Sequence, residues 1–545
     1  MKKNYGLVKS SPKEMCLSFR ELLEFRIREY PEVPMYSYLD YKAGERHYIM
    51  PDLVKAQSEA LIVFINNTIG DNQKIGILAN NSYEWILVMQ SIAGSENVVL
   101  LLDKTLDVDS LSRQITRADC RTLFCDSAYR KKAEEISSSN NCSIFDFDKL
   151  EEYISLGNQM ISEGKGQILY KASDPEATSF IMFTSGTTGV PKGVMLSQQN
   201  LFYNAYMAME IIDLNDDEVY VLPLNHIYGL GSSQLTVLLN GKTVHICMNL
   251  RRMFNDFEIV RPRLLILVPM FIEMIYDKIM YNVKQLGQEQ FDELIRKCDR
   301  ENADAQKRRE VFAPYTAVIG GEVTRIVSGG APLNVKLAYE FRKIGIEICE
   351  GYGITECSPV LGINPLYHNK IGSVGRIVGD TEIKIDNPDK DGNGEICARG
   401  KIISSGYYKM PQETAESFKD GWFYTGDKGY LDEEDYLYIT GRIKNLIILS
   451  NGENVSPEEI ESKLYLNEII KEAVVYADNN SICAAVYLNE EYIERENISN
   501  PKENVLEYIE DINKHAPPYK IISHTEFRDT SFERTSSGKI KRNWR

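Results

Sequence analysis

The chain has 545 residues, too many for one simple core, so two or three domains are expected. Hydrophobic residues make up 43% and charged residues 26%, an ordinary globular mixture. The net charge of -17 argues against nucleic-acid binding as the main function, while a local basic funnel for a phosphate ligand stays compatible with it.

The N-terminus opens MKKNYGLVKSSPKE, with no apolar stretch behind its lysines, so no signal peptide is expected. The best apolar run, LLILVPMFIEMIY from 264, is broken by Pro269 and Glu273 and is not expected to span a membrane. Ten cysteines are scattered without a CxxC pair, as buried free thiols in a reducing, cytoplasmic setting would be.

In chain order, FRELLEFRIRE (19–29) reads as an amphipathic helix. Residues 74–103 alternate an apolar run, a helical pattern and a second apolar run, the unit that builds mostly parallel sheets. The theme repeats with the apolar runs CRTLFCDS (120–127), VLPL (221–224), TVHICM (243–248) and LLILVP (264–269). The apolar stripe of MFIEMIYDKIMYNV (270–283) reads as core, with the lining of an acyl tunnel as the alternative. Residues 283–310 are charged and weakly periodic, a solvent-facing helical excursion with a lid as the alternative.

From about 372 short turn-rich segments follow, a mainly β module. Beyond GRIKN (441–445) come helix PEEIESKLYL, strands KEAVVYADN and SICAAVYLN, a helical stretch at 501–514 and a lysine-rich tail. The expected division is 1–441, with the β submodule at about 372–441, and a small α+β domain at 442–545. The fold class is α/β in the large part.

FTSGTTGVPKG (183–193) packs three glycines, four hydroxyls and one lysine behind an apolar run. Glycines let backbone N–H groups converge and hydroxyls add donors, so this loop suits a polyphosphate. It is not an NTPase P-loop, because GxxxxGK[ST] is absent and Lys192 precedes Gly193. Glu356, in GYGITECSP (351–359), is a carboxylate that fits beside phosphates only through a divalent ion, or else a helix cap. Asp427, in YTGD (424–427), suits two ribose hydroxyls, or is a surface-turn aspartate. On composition alone, Lys539 is one of several basic tail residues.

These blocks, with SGGAPL (328–333), GRIKNLIILSNGENVSPEEIE (441–461) and SSGKIKR (536–542), occur in order along the chain, which therefore resembles the adenylate-forming superfamily of acyl-CoA synthetases, luciferase and peptide-synthetase adenylation domains. The resemblance implies a large N-terminal domain and a small mobile C-terminal one. It implies ATP and Mg2+ as ligands and CoA as co-substrate. Thr184, Ser185, Gly186, Thr187, Thr188, Gly189 and Lys192 would cradle phosphates, and Glu356 would hold Mg2+. Gly329, Gly330, Ala331, Tyr352, Gly353 and Thr355 would meet adenine, phosphates and the acyl chain. Asp427 and Arg442 would hold the ribose. Lys539 would stabilise charge during adenylation, Lys444 would be the hinge, and Gly452 would line the pantetheine tunnel.

His226, in PLNHIYG, would act as a gate between subsites; a satisfied core histidine is its competing reading. With Asn225 and His226 where amino-acid-activating relatives keep an aspartate, an amino acid substrate is disfavoured, and the overall resemblance to fatty acyl-CoA synthetases implies a fatty acid of medium or long chain. A phosphopantetheinyl acyl carrier protein is the alternative acceptor, and a non-catalytic nucleotide or acyl sensor the alternative of another class. Weak peripheral membrane contact is compatible with this reading.

Overall fold

The computed structural model describes residues 15–167, 174–184, 191–390, 392–449, 454–534 and 540–542. Its larger part is built on two sheets. One has six strands in the order Ser143–Asp146, Thr122–Cys125, Lys74–Leu78, Val98–Leu101, Thr178–Thr184, Lys192–Ser197. All its pairings are parallel except the last, which is a hairpin. The other has nine strands, with a parallel centre formed by Tyr36–Asp40, Val244–Ile246, Glu218–Tyr220, Leu264–Leu267, Arg325–Ser328 and Glu347–Gly353. Strands buried on both faces read as continuous apolar runs, which is why LLIL is wholly buried at Leu264–Leu267.

Helices Tyr83–Gly94 and Gln198–Met209 are buried along almost their whole length within one continuous core that touches both sheets. Gln198–Met209 starts at a capping box, in which Ser197 and Asn200 each bond the other's backbone N–H.

The predicted helix at 19–29 forms as Phe19–Glu29, capped by Ser18. Two expectations need correction. VLPL is no strand: the strand is Glu218–Tyr220, and Pro223, which cannot donate to a ladder, lies in the loop behind it. The excursion is helical, as Gln288–Arg300 and Ala305–Thr316, but only one face meets solvent. The other packs Phe291 against Phe312 and Tyr315 at 5.1 and 5.0 Å between ring centroids. Helix Pro269–Leu286 buries Phe271, Ile272, Ile275, Ile279 and Val283, so its stripe is core.

The strand pair at Ser37 and His245 carries a buried polar brace. Ser37 Oγ lies 3.0 Å from His245 Nδ1, and His245 Nε2 lies 3.5 Å from Asp256. The Ser–His–Asp order invites a hydrolase reading. Arg46, however, donates twice to Ser37 Oγ, Tyr41 OH donates to Asp256, and the three residues are fully buried. Burial pushes the His245 imidazole below its usual value, which keeps it neutral. The set is structural.

Glu218 is a second buried carboxyl, 0% exposed, accepting from Ser233 Oγ at 2.6 and 2.5 Å. Desolvation raises it to about 8. A raised carboxyl stabilises the fold fully below its unfolded value, about 4.3, and that contribution is lost as pH climbs to the folded one. Glu218→Gln is therefore expected to flatten the melting temperature against pH between about pH 5 and 8. A mutant-minus-wild-type difference that stays constant over that window would refute the assignment.

Beyond the two sheets, strands Glu382–Asp386, Gly394–Arg399, Trp422–Leu431, Phe418–Lys419 and Leu437–Arg442 form the expected β module, antiparallel throughout. The last part has its own core, centred on Val455, Leu464, Ala484, Val486 and Val505. There strands Ile470–Asp478, Ser481–Leu488 and Ile522–Arg528 pack with helices Pro457–Leu464 and Pro501–Lys514. It rests on the start of helix Val335–Lys343, where Asn334 donates to the Tyr465 carbonyl and Lys336 pairs with Glu468. Among the described residues no helix is long and apolar enough to cross a membrane.

Candidate nucleotide site

Thr184, Gly329 and Tyr352 lie at or just past the carboxyl ends of strands with parallel partners, where open α/β sheets bind ligands. The hairpin Thr178–Thr184 and Lys192–Ser197 pairs Thr184 directly with Lys192, so the glycine-rich loop is closed at its base. Residues 185–190, including Ser185, Gly186, Thr187, Thr188 and Gly189, lie outside the described residues.

Across the site, Tyr352 is the last residue but one of strand Glu347–Gly353, and its hydroxyl donates to Asp427 Oδ2 at 2.5 Å. Asp427 Oδ1 accepts from Arg442 Nε at 2.7 Å, across adjacent strands whose register places the two residues opposite each other. Asp427 is 3% exposed. Burial, then the nearby Asp427 charge, push the Tyr352 phenol far above its ordinary value, so it remains a donor. Asp427 and Arg442, expected together on the ribose, thus form one hydrogen-bonded group with Tyr352, expected at adenine.

Gly353 is required sterically, because a Cβ there would sit 1.6 Å from the Pro359 carbonyl oxygen. The next turn, Thr355–Cys357, presents Glu356. Its Oε1 accepts from Tyr407 OH at 2.9 Å. Burial raises the Glu356 carboxyl, opposed by the Tyr407 bond and by the charges of Arg442 and Lys192. Lys192 Nζ stands 4.5 Å from the centroid of the same Tyr407 ring. Among the described residues no three His, Cys, Asp or Glu side chains cluster as a metal cage. A lone carboxylate beside phosphate donors suits Mg2+, which keeps waters and takes one or two carboxylates plus substrate oxygens.

The SGGAPL turn follows strand Arg325–Ser328. A Cβ on Gly329 would meet the Tyr228 ring at 2.7 Å, and Gly330 has φ +81°, so both glycines have steric reasons. Ala331 is half-buried. Behind this turn, Glu350 is a half-buried carboxyl that desolvation raises to about 8, and it accepts from the Leu333 N–H. His226 is half-buried just before the π-helical Tyr228–Leu235, and its carbonyl accepts from Leu230 N.

Lys444 lies in the exposed turn Ile443–Asn445. Asn445 donates to Glu458 Oε1 at 2.6 Å, and Arg542 reaches the same oxygen at 3.1 Å while also bonding the buried Glu461. Lys539 and Gly452 lie outside the described residues. The described residues on either side of Lys539 are held. Arg534 bonds the buried Glu472 and bridges to Ile540, and Arg542 holds Glu458 and Glu461.

Sequence reasoning missed Tyr407. SGYYKM carries no local sign of its contact with Glu356, 51 residues away. The backbone explains how it arrives. Residues 405–408 run along the free edge of strand Lys192–Ser197, with Tyr408 N–H donating to Gly193 O, Met195 N–H donating to Gly406 O, and Val194 paired with Tyr407.

Two α/β sheets, a β module and a separate small unit surround these groups, the two-part architecture that the resemblance to the adenylate-forming superfamily implies. Residues 53–408 match the model of the AMP-binding enzyme family, and 444–544 match that of the AMP-binding enzyme C-terminal domain. The chain belongs to the AMP-binding enzyme family. It is 31% identical over 335 residues to the long-chain-fatty-acid–CoA ligase FadD15 of Mycobacterium bovis, a match covering 58% of this chain and 54% of that protein. The chain thus spans about half the length of that relative. It is 28% identical over 464 residues to fatty acyl-CoA synthetase B of Dictyostelium discoideum, covering 76% and 68% of the two chains. Its fold is similar to that of o-succinylbenzoate CoA synthetase (MenE) from Bacillus subtilis, solved with its acyl-adenylate, at TM-score 0.73 and 22% identity over 96% and 97% of the two chains.

Proposed function

We propose that this chain is an AMP-forming acid–thiol ligase that activates a fatty acid of medium or long chain and transfers it to CoA. The observation that carries the reading is the meeting of two groups drawn from three sheets: Tyr352, Asp427 and Arg442 in one, Glu356, Tyr407 and Lys192 in the other, with the Arg442 charge felt by Glu356. The first offers a ribose clamp and the second a polyphosphate and metal pole.

In the first step a carboxylate oxygen attacks the α-phosphorus of ATP, and pyrophosphate leaves with the bond's electron pair. Lys192 and Lys539 offset the negative charge that develops, and Asp427 with Arg442 fixes the ribose so that the attack is in line. Mg2+ held by Glu356 and phosphate oxygens would neutralise charge on the polyphosphate. In the second step the thiol sulfur bonds to the acyl carbon, its proton goes to solvent, and AMP leaves. His226 would act as a gate between these subsites, Gly329, Gly330 and Ala331 would lie where adenine and the acyl chain meet, and Gly452 would line the pantetheine tunnel.

The acid class is supported by the relatives named fatty acyl-CoA ligases. The boundary at 441/442, with a pivot at Lys444, is supported by the separate core that starts at Leu449. A reducing compartment such as the cytoplasm suits ten free, buried cysteines.

The test is incubation of the full chain with Mg-ATP and acids from acetate to stearate plus aryl acids, with and without CoA, read by mass spectrometry. Acyl-CoA, AMP and pyrophosphate are expected with long acids and CoA. Adenylate that ignores CoA would replace the acceptor by a carrier protein, and no turnover with any acid would leave a nucleotide sensor.

A further inference from the structure

Tyr407 is tied to the site by three independent contacts. Its hydroxyl donates to Glu356 Oε1 at 2.9 Å, its ring lies under Lys192 Nζ at 4.5 Å, and its backbone pairs with Val194. The side chain has little freedom. Tyr407 is 5% exposed, its N–H donates to Thr414 Oγ1 at 3.0 Å, and its ring meets Phe418 edge-on at 5.8 Å between centroids. The segment therefore reaches the base of the phosphate loop from the β-module side and touches the metal-site carboxylate with the same residue.

We infer that Tyr407 is a positioning residue that sets Glu356 against Lys192, so that the divalent ion and the phosphates of one Mg-ATP are received together. The inference rests on the nucleotide reading of this site. Its chemistry is direct. A phenol O–H bonded to Oε1 fixes the rotamer of a carboxylate on a short turn, and a preorganised ligand loses less entropy when it takes its ion. The ring gives the Lys192 ammonium a resting place by cation–π attraction close to the phosphates it is to meet. A ring without the hydroxyl would still fill the space and still hold Lys192, but Glu356 would have lost its fixed partner.

The experiment uses the full chain and Tyr407→Phe. ATP affinity is measured by calorimetry in excess MgCl2 and again in excess EDTA. Loss of one hydrogen bond to a charged group predicts Mg-ATP binding about tenfold weaker, with metal-free ATP binding within about twofold of wild type. The metal-free affinity also reports that the site is folded. In a Glu356→Gln background, Tyr407→Phe is expected to add nothing, the mark of a residue that acts through another.

Equal losses with and without metal, additivity with Glu356→Gln, or no change in Tyr407→Phe would each overturn the inference. A wild-type chain that binds no ATP at all would instead overturn the functional reading, a result distinct from normal wild-type binding with an inert Tyr407→Phe.

Discussion

Asp427→Asn is expected to weaken ATP binding by about a hundredfold while leaving the chain folded. The carboxylate is buried, and both of its oxygens are used, by Tyr352 OH and by Arg442 Nε. Hydrogen bonds to a charged group contribute about 1.5–3 kcal/mol each, so losing the charge weakens two bonds within the protein and those offered to the ribose. An amide of the same shape keeps one acceptor and places N–H groups against a donor. The measurement that separates ribose recognition from general damage is discrimination between ATP and 2′-deoxy-ATP. Wild type is expected to prefer ATP, and Asp427→Asn to lose most of that preference. A variant that binds weakly yet keeps the full preference would show that Asp427 shapes the site without touching the sugar.

Lys539→Ala is expected to slow adenylate formation by about 10²–10³-fold, the usual cost of removing one preorganised charge from a transition state. Thioester formation from supplied acyl-adenylate and CoA should stay within a few-fold of wild type, because that step does not build charge on the α-phosphate. Arg542→Ala keeps the Lys539 side chain in the sequence but removes the ion pairs to Glu461 and Glu458 three residues beyond it. It should therefore reproduce part of the adenylation loss, with partial recovery in Arg542→Lys. Equal losses in both half-reactions for Lys539→Ala would remove it from the adenylation step.

Much of this fold was legible in the sequence where one physical period dominates. Phe19–Glu29 shows helical spacing, and Ser481–Leu488 is a long β-branched and apolar run between turn residues. VLPL misled because an apolar run after a strand looks like the strand itself, and the true strand begins with a buried glutamate. In the excursion, many charges on the outer face hid an aromatic inner one. The candidate site was legible because glycines, carboxylates and lysines sit in short blocks with local turn geometry. Tyr407 was not, because its role comes from a register between the phosphate hairpin and a distant segment, and no window of sequence contains both.

The strip at 405–408 that brings Tyr407 to Glu356 has a practical corollary. It covers the outer row of backbone donors and acceptors on Lys192–Ser197, the last strand of its sheet. A truncation designed from the compositional change near 372 would leave that row bare, and an uncovered strand edge recruits other chains. Shortened versions of the large part should therefore precipitate when they end before 405 and remain dispersed when they run past 442, which keeps both the strip and the β-module strands paired.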